Sequence, residues 1–301
     1  MDLLTPRAAL PDALRGILSM LLAVALFAGM DAVIKHLSPT FPVMQIVFFR
    51  SLFAFLPIGL LLWREGGLAA LRTNRPFEHA KRSIFGVMSL VCFVYAFGRM
   101  PLAEVVAIGF SAPLFITALS VPLLGEAVGW RRWSAVLVGF AGVLVMVRPG
   151  AGVFAPAALV ALAAALFYAF AMIFIRSLGR SEGTGCIAFY FMLACLVVGA
   201  VFMPFQWVTP RAADWPALAA LGLLGGFAQL FITAAFRLAP AALVAPFDYS
   251  SMIHVTILGY VFWGEVPDAP LFVGAAIVVA SGIYILHRER ARTAAVRRIR
   301  R

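Results

Sequence analysis

Ten apolar runs follow one another along the chain, near residues 14–35, 41–63, 83–100, 102–124, 131–148, 155–176, 185–207, 216–236, 242–263 and 269–287. Each is long enough to cross about 30 Å of hydrocarbon at about 1.5 Å per residue. In that solvent the backbone must satisfy its own hydrogen bonds, so each run is expected to be a helix. Composition agrees, with 63% of the 301 residues apolar and 12% charged. A soluble domain has roughly 45–50% and about 25%. So few charges cannot cover a water-facing surface, which excludes a soluble enzyme, a nucleic-acid-binding domain and a disordered chain. The expected fold class is an all-α integral membrane protein with ten transmembrane helices, whose first partner is the lipid bilayer. The run after Arg15 begins like a signal-peptide core, but it extends through Ile34 and a second span follows. It is expected to stay as the first helix.

The net charge of +11 comes from 22 Arg and two Lys, Lys35 and Lys81, and its distribution predicts orientation. With the N-terminus inside, 19 basic residues fall in inside segments and four, Lys35, Arg99, Arg148 and Arg211, fall outside. An excess of this kind marks the cytoplasmic face, so both termini are expected in the cytoplasm of a multi-pass inner-membrane protein. Residues 288–301 read as a basic cytoplasmic tail facing lipid headgroups, not nucleic acid. The three cysteines, Cys92, Cys186 and Cys195, lie in apolar stretches without CxxC or His spacing. They predict buried packing residues, with no metal site or disulfide framework. No cofactor is expected.

The two halves of the chain resemble each other. A shift of 139 carries Ala103 through Gly125-Glu126 onto Ala242 through Gly264-Glu265. Ser111 then meets Ser250, Thr117 meets Thr256, Gly86 meets Gly225, and Pro101 meets Pro240. The repeat unit holds five spans, an odd number, so the second copy must run inverted relative to the first. Residues 14–148 and 155–287 are the two expected units. Inverted repeats recur in secondary transporters, which hold substrate near the midplane between the halves.

Ionisable groups inside membrane spans usually face a cavity or a partner. Arg50 lies near mid-depth in the second span and is a candidate for the pocket. Asp31 lies in the outer third of the first span and is read as pairing with Arg50, or with Lys35 one turn on. Lys35 is assigned to a gate or ion pair. The ninth span carries Pro246-Phe247-Asp248-Tyr249-Ser250-Ser251 and His254. A polar, aromatic-bearing face beside a helix irregularity suits a binding site, so Asp248, Tyr249, Ser251 and His254 join the candidates. Gln229 in the eighth span is a further hydrogen-bonding candidate. Glu126 and Glu265, at the ends of spans four and nine, read as helix-end residues that fix loops. A proton could couple through Asp248 or His254, and the pattern is compatible with a homodimer.

Ten spans in two five-span halves, each closing its fourth span on Gly-Glu, resemble the EamA group of the drug/metabolite transporter superfamily. Met30-Asp31-Ala32-Val33-Ile34-Lys35-His36-Leu37 and Phe48-Phe49-Arg50-Ser51 resemble bacterial riboflavin importers and, about equally, S-adenosylmethionine uptake transporters. The resemblance implies alternating-access transport of a small metabolite, with riboflavin uptake ahead of S-adenosylmethionine uptake and amino-acid or metabolite export as the alternative. An enzyme reading competes with it. Gly109-Phe110-Ser111-Ala112 resembles the Gly-x-Ser segment of rhomboid-type intramembrane proteases. Ser111 would then need a base such as His254 within hydrogen-bond reach.

Overall fold

The computed structural model describes residues 12–124, 129–147, 156–179, 181–238 and 245–299. The first half contains α1 (Asp12–Leu37), α2 (Val43–Arg64), α3 (Pro76–Phe97), α4 (Leu102–Gly109), α5 (Ala112–Leu124) and α6 (Trp130–Val147). The second contains α7 (Pro156–Leu178), α8 (Thr184–Gln206), α9 (Trp215–Leu238), a 3-10 turn at Ala245–Ser250, α10 (Ser251–Trp263) and α11 (Ala269–Ile299). Helices α4 and α5 form one span broken at Phe110-Ser111, and the 3-10 turn and α10 form its counterpart. The fold is thus ten spans. Seven described helices are long and apolar enough to cross a membrane, and Trp133–Met146 and Ala269–Ile285 are shorter apolar helices. The expected basic tail continues α11 to Ile299.

The repeat is visible in the backbone. Shifted by 139, Ala112–Leu124 falls on Ser251–Trp263, so both broken spans restart and stop at matched residues. The packing obeys the same exchange. Helix α1 packs on α9 and α3 on α7; α2 packs on α9 and α3 on α8; α1 packs on α10 and α5 on α7. Helix α2 meets its own counterpart α8, and α6 meets α11. Each half therefore lacks a complete core alone and buries its first and third helices against the other. The equivalent rings of Phe110 and Tyr249 touch edge to face, with centroids 5.1 Å apart, where the two broken spans meet.

Outward-facing side chains fit lipid. Leu56, Leu137, Val201, Val261 and Phe262 are exposed, while Ile46, Ile58, Leu102, Leu114 and Leu221 are fully buried. A continuous apolar exterior of this size would aggregate in water and is the ordinary surface of a membrane protein.

One sequence boundary shifts. The span expected at 83–100 begins at Pro76, which takes the first helical position, with Glu78 in the first turn. Proline costs nothing there, because the first N–H groups of a helix have no intrahelical partner. Lys81 and Arg82 therefore belong to α3, not to a loop, and Arg82 is buried. The connection around Ala239-Pro240 and the residue Glu126 lie outside the described residues.

The loops are sewn across the halves. The buried amide of Gln45 donates through Nε2 to the Val208 carbonyl at 2.6 Å and accepts the Val208 N–H at 2.9 Å. Glu65 accepts the Gly185 N–H at 2.9 Å, and the Tyr190 hydroxyl donates to the Leu71 carbonyl at 2.9 Å. Gln45→Leu strands both Val208 backbone groups, at a cost of about 2 kcal/mol. Thermal unfolding of the purified protein, followed by tryptophan fluorescence, is expected to move down by several degrees. An unchanged midpoint contradicts this role.

Candidate functional site

Arg50 sits on the buried face of α2. Its Nε lies 3.4 Å from the Met30 sulfur and its Nη1 4.0 Å from the Met192 sulfur. Thioethers are weak acceptors and leave most of the hydrogen-bonding capacity of a guanidinium unmet. Asp31 follows Met30 in α1 and lies within electrostatic range of Arg50. No direct ion pair joins Asp31 to Arg50 or to Lys35 among the described residues. The pairing expected from the sequence is thus a long-range one, because Met30 occupies the place beside the guanidinium. Gly225 of α9 makes room there. A Cβ at Gly225 would lie 2.7 Å from the Met30 sulfur and 3.7 Å from Arg50 Nε.

Arg82 of α3 is the second guanidinium, and the sequence reading missed it. It is 8% exposed, and its carbon centre stands 3.7 Å over the Phe191 ring of α8. Its Nε and Nη1 are buried and have no hydrogen-bond partner among the described residues. The side chain folds over Gly86, where a Cβ would lie 2.8 Å from Nη1 and 2.7 Å from the Phe191 ring. Gly86 and Gly225 are repeat equivalents, so matched glycines form the floor under both guanidiniums. The signal that could have found Arg82 was the helix start at Pro76-Phe77-Glu78, which places Arg82 in the second turn.

The two cations share one stretch of α8. Arg50 touches Met192 and Arg82 covers its neighbour Phe191, while Cys195, one turn on, lies within electrostatic range of both. Arg82 is also within range of Arg50 and Tyr168, and Tyr168 within range of Asp248. Asp248 itself is exposed in the 3-10 turn of the broken ninth span. The space beside it is therefore open, not packed. Asp31, Arg50, Arg82, Tyr168 and Asp248 thus come from five different spans into one polar region between the repeats.

The other sequence candidates are placed as follows. Tyr249 meets Phe110 edge to face and presses its hydroxyl against Gly282 of α11. His254 Nδ1 shares a hydrogen bond with the Ser250 carbonyl at 2.9 Å. Ser251 is half-buried at the start of α10. The Gln229 side chain is half-buried and makes no hydrogen bond among the described residues, while its carbonyl accepts from Thr233 at 2.8 Å.

At one end of the bundle a charged clamp joins the halves. Lys35 of α1 donates to Glu265, which follows α10, and to the Met100 carbonyl at 2.8 Å. The second Glu265 oxygen accepts the Leu102 N–H at 3.0 Å, satisfying an orphan donor at the start of α4. Gly264 aims the carboxylate. Its φ of 67° lies in the left-handed region that glycine enters freely, and the N–H groups of Gly264 and Glu265 close α10 on the carbonyls of Tyr260 and Gly259. Trp263 lies 5.5 Å from the Lys35 ammonium. Glu265 is a helix-end residue, as the sequence reading has it, and it also bridges the repeats.

At the opposite end, Arg75 donates to the Ser177 carbonyl and hydroxyl, both at 2.8 Å, and Thr73 donates to Glu182 at 2.8 Å. Glu182 also lies 3.6 Å from the Cys186 sulfur and 3.9 Å from His79 Nε2. No sequence spacing announces this cluster, whose ligand-type atoms all lie within 4.8 Å of one another. Among the described residues the Ser111 hydroxyl is buried without a hydrogen-bond partner, and His254 Nδ1 is bonded to the Ser250 carbonyl, so the structure does not join the two residues of the hydrolase reading.

The EamA-like transporter family matches residues 14–148 and 155–287. The chain is 34% identical over 270 residues to the pseudopaline exporter CntI of Pseudomonas aeruginosa strain UCBPP-PA14, covering 89% of this chain and 94% of that protein. It is 28% identical over 282 residues to an S-adenosylmethionine uptake transporter of Rickettsia prowazekii strain Madrid E, covering 94% and 96%. It is 29% identical over 277 residues to a riboflavin transporter of Rhizobium johnstonii, covering 91% of each. One crystal structure superposes with a TM-score of 0.64 at 22% identity, over 92% of this chain and 98% of that one, which shows the shared fold. With two five-span repeats, each matched along its length, the chain belongs to the EamA-like transporter family.

Proposed function

We propose that the chain is a secondary transporter of the bacterial inner membrane, moving a small metabolite by alternating exposure of the polar region between its repeats. The observation that carries this reading is the exchange symmetry of the packing, joined to a clamp at one end. A bundle whose halves pack on each other by one repeated set of contacts can rock between two related arrangements. The Lys35–Glu265 clamp holds one of them. With both termini cytoplasmic, that clamp lies on the outer side, and the structure corresponds to an arrangement closed to the outside.

The direction and cargo we put first are uptake of riboflavin, on the resemblance of the segments around Asp31 and Arg50. S-adenosylmethionine uptake stands beside it, since relatives bearing both names align over nearly the whole chain. Export is the second reading, favoured by the 34% identity to a protein named as an exporter. Counterflow in proteoliposomes loaded with riboflavin, S-adenosylmethionine or an amino-acid mixture tests these. Saturable exchange of one of them is expected, and no exchange of any small metabolite contradicts the transporter reading. We assign a coupling proton to Asp248, which faces the open space. A transport rate indifferent to an imposed pH gradient contradicts that assignment.

The clamp makes a separate prediction. Removing one partner of a partly buried, hydrogen-bonded charge pair costs on the order of 2 kcal/mol, which shifts the equilibrium between the two arrangements. Thr256 lines a small hollow beside Glu265 with Pro101 and Leu271. In a variant whose native cysteines are replaced, Thr256→Cys is expected to react with an impermeant thiol reagent from outside at least several-fold faster once Glu265→Gln is added. An unchanged rate contradicts the gating role.

A further inference from the structure

Arg50 and Arg82 are each more than nine-tenths buried, at 7% and 8% exposure, and among the described residues neither is bonded to a carboxylate. Arg50 has two methionine sulfurs, and Arg82 has the face of Phe191 with Nε and Nη1 unpartnered. Two like charges held near the same turn of α8 repel, and burial strengthens the repulsion. A fold that needed these groups only for packing would pair them or replace them with apolar side chains. Instead, matched glycines are kept beneath both, and the ring and sulfurs around them hold the guanidinium planes while leaving most of their hydrogen-bonding capacity unmet. Planar guanidiniums with free donors match the two oxygens of a carboxylate. Across the same region stands the exposed carboxylate of Asp248, linked to Arg82 through their shared neighbour Tyr168.

We propose that Arg82 and Arg50 form a carboxylate-binding subsite, and that the transported metabolite is a zwitterion whose cationic group faces Asp248. This inference rests on the transporter reading above and reverses its order of cargoes, putting a zwitterion such as S-adenosylmethionine ahead of riboflavin. Among the cargoes named for the relatives, S-adenosylmethionine has a carboxylate beside cationic groups, and riboflavin has neither. The acceptors that the protein does not offer these donors are supplied only when such a ligand is bound. Arg82 therefore touches substrate, and Gly86 positions it.

The full-length protein in detergent tests this with metabolite pairs that differ only by the α-carboxylate. The pairs are S-adenosylmethionine with its decarboxylated form, and tyrosine, histidine and glutamate with their amines. Riboflavin serves as the neutral probe. At least one carboxylate-bearing member is expected to stabilise the protein saturably, with its decarboxylated partner binding about 10- to 100-fold more weakly. Arg82→Met is expected to remove that difference while leaving the unfolding temperature of the ligand-free protein unchanged or higher. Arg82→Lys, which keeps the charge and loses the planar fork, is expected to fall between. Equal binding of a pair, stabilisation by riboflavin alone, or no response to any pair overturns the subsite. So does an Arg82→Met protein that loses several degrees of stability and still discriminates. Riboflavin counterflow in proteoliposomes with no response to the pairs would overturn the subsite alone. Absence of all counterflow would count against the transporter reading itself.

Discussion

A charge inside a hydrocarbon-spanning bundle must be held by the fold or face something the fold leaves open. Much of this structure follows from how it treats Arg50 and Arg82. Both guanidiniums are kept within the contact between the halves, where α2 and α3 meet α8 and α9. Each stands over a glycine, Gly225 or Gly86, at the same place in the repeat. Their contacts are a ring and two thioether sulfurs, which orient without neutralising. The inter-repeat interface is thereby apolar enough to pack while it keeps the two buried charges that the proposed carboxylate subsite uses.

The exchange symmetry gives that interface its second property. Several of the contacts between the halves come in matched pairs, from α1 on α9 with α3 on α7 to α1 on α10 with α5 on α7. On the proposed transporter reading, this matched packing lets the bundle take two related arrangements, between which small biases decide. The clamp of Lys35, Glu265, Met100 and Leu102 is such a bias, since it fastens α1 and α4 to the end of α10. On the same reading, it favours the arrangement closed at that end of the bundle.

The broad plan was legible in the sequence. Span lengths report the solvent, and the offset of 139 survives as matching helix ends at Ala112–Leu124 and Ser251–Trp263. Site detail was less so, for identifiable reasons. Charge was used to end spans, so Lys81 and Arg82 were read as loop although Pro76 starts the helix a turn and a half earlier. Helical spacing put Lys35 on the face of Asp31, but its partner is Glu265, 230 residues away. Local periodicity cannot report a contact made by a distant loop. Asp31 and Arg50 were placed on facing helices, but Met30 intervenes, a detail of side-chain packing that no pattern encodes. His254 shows the opposite case, since its bond to Ser250 is the common fate of a lone histidine in a helix bundle.

The central claim is that cargo passes between the repeats and that the Lys35 end must open for it to do so. Cysteines placed at 35 and 265, in a protein with its native cysteines replaced, test it most directly. Joined by a short thiol-reactive crosslinker that reduction cleaves, and that makes up for the two shortened side chains, the pair holds that end shut. Counterflow of the cargo in proteoliposomes is then expected to stop, and to return when the bridge is reduced. Transport that continues unchanged across the closed bridge would contradict the account.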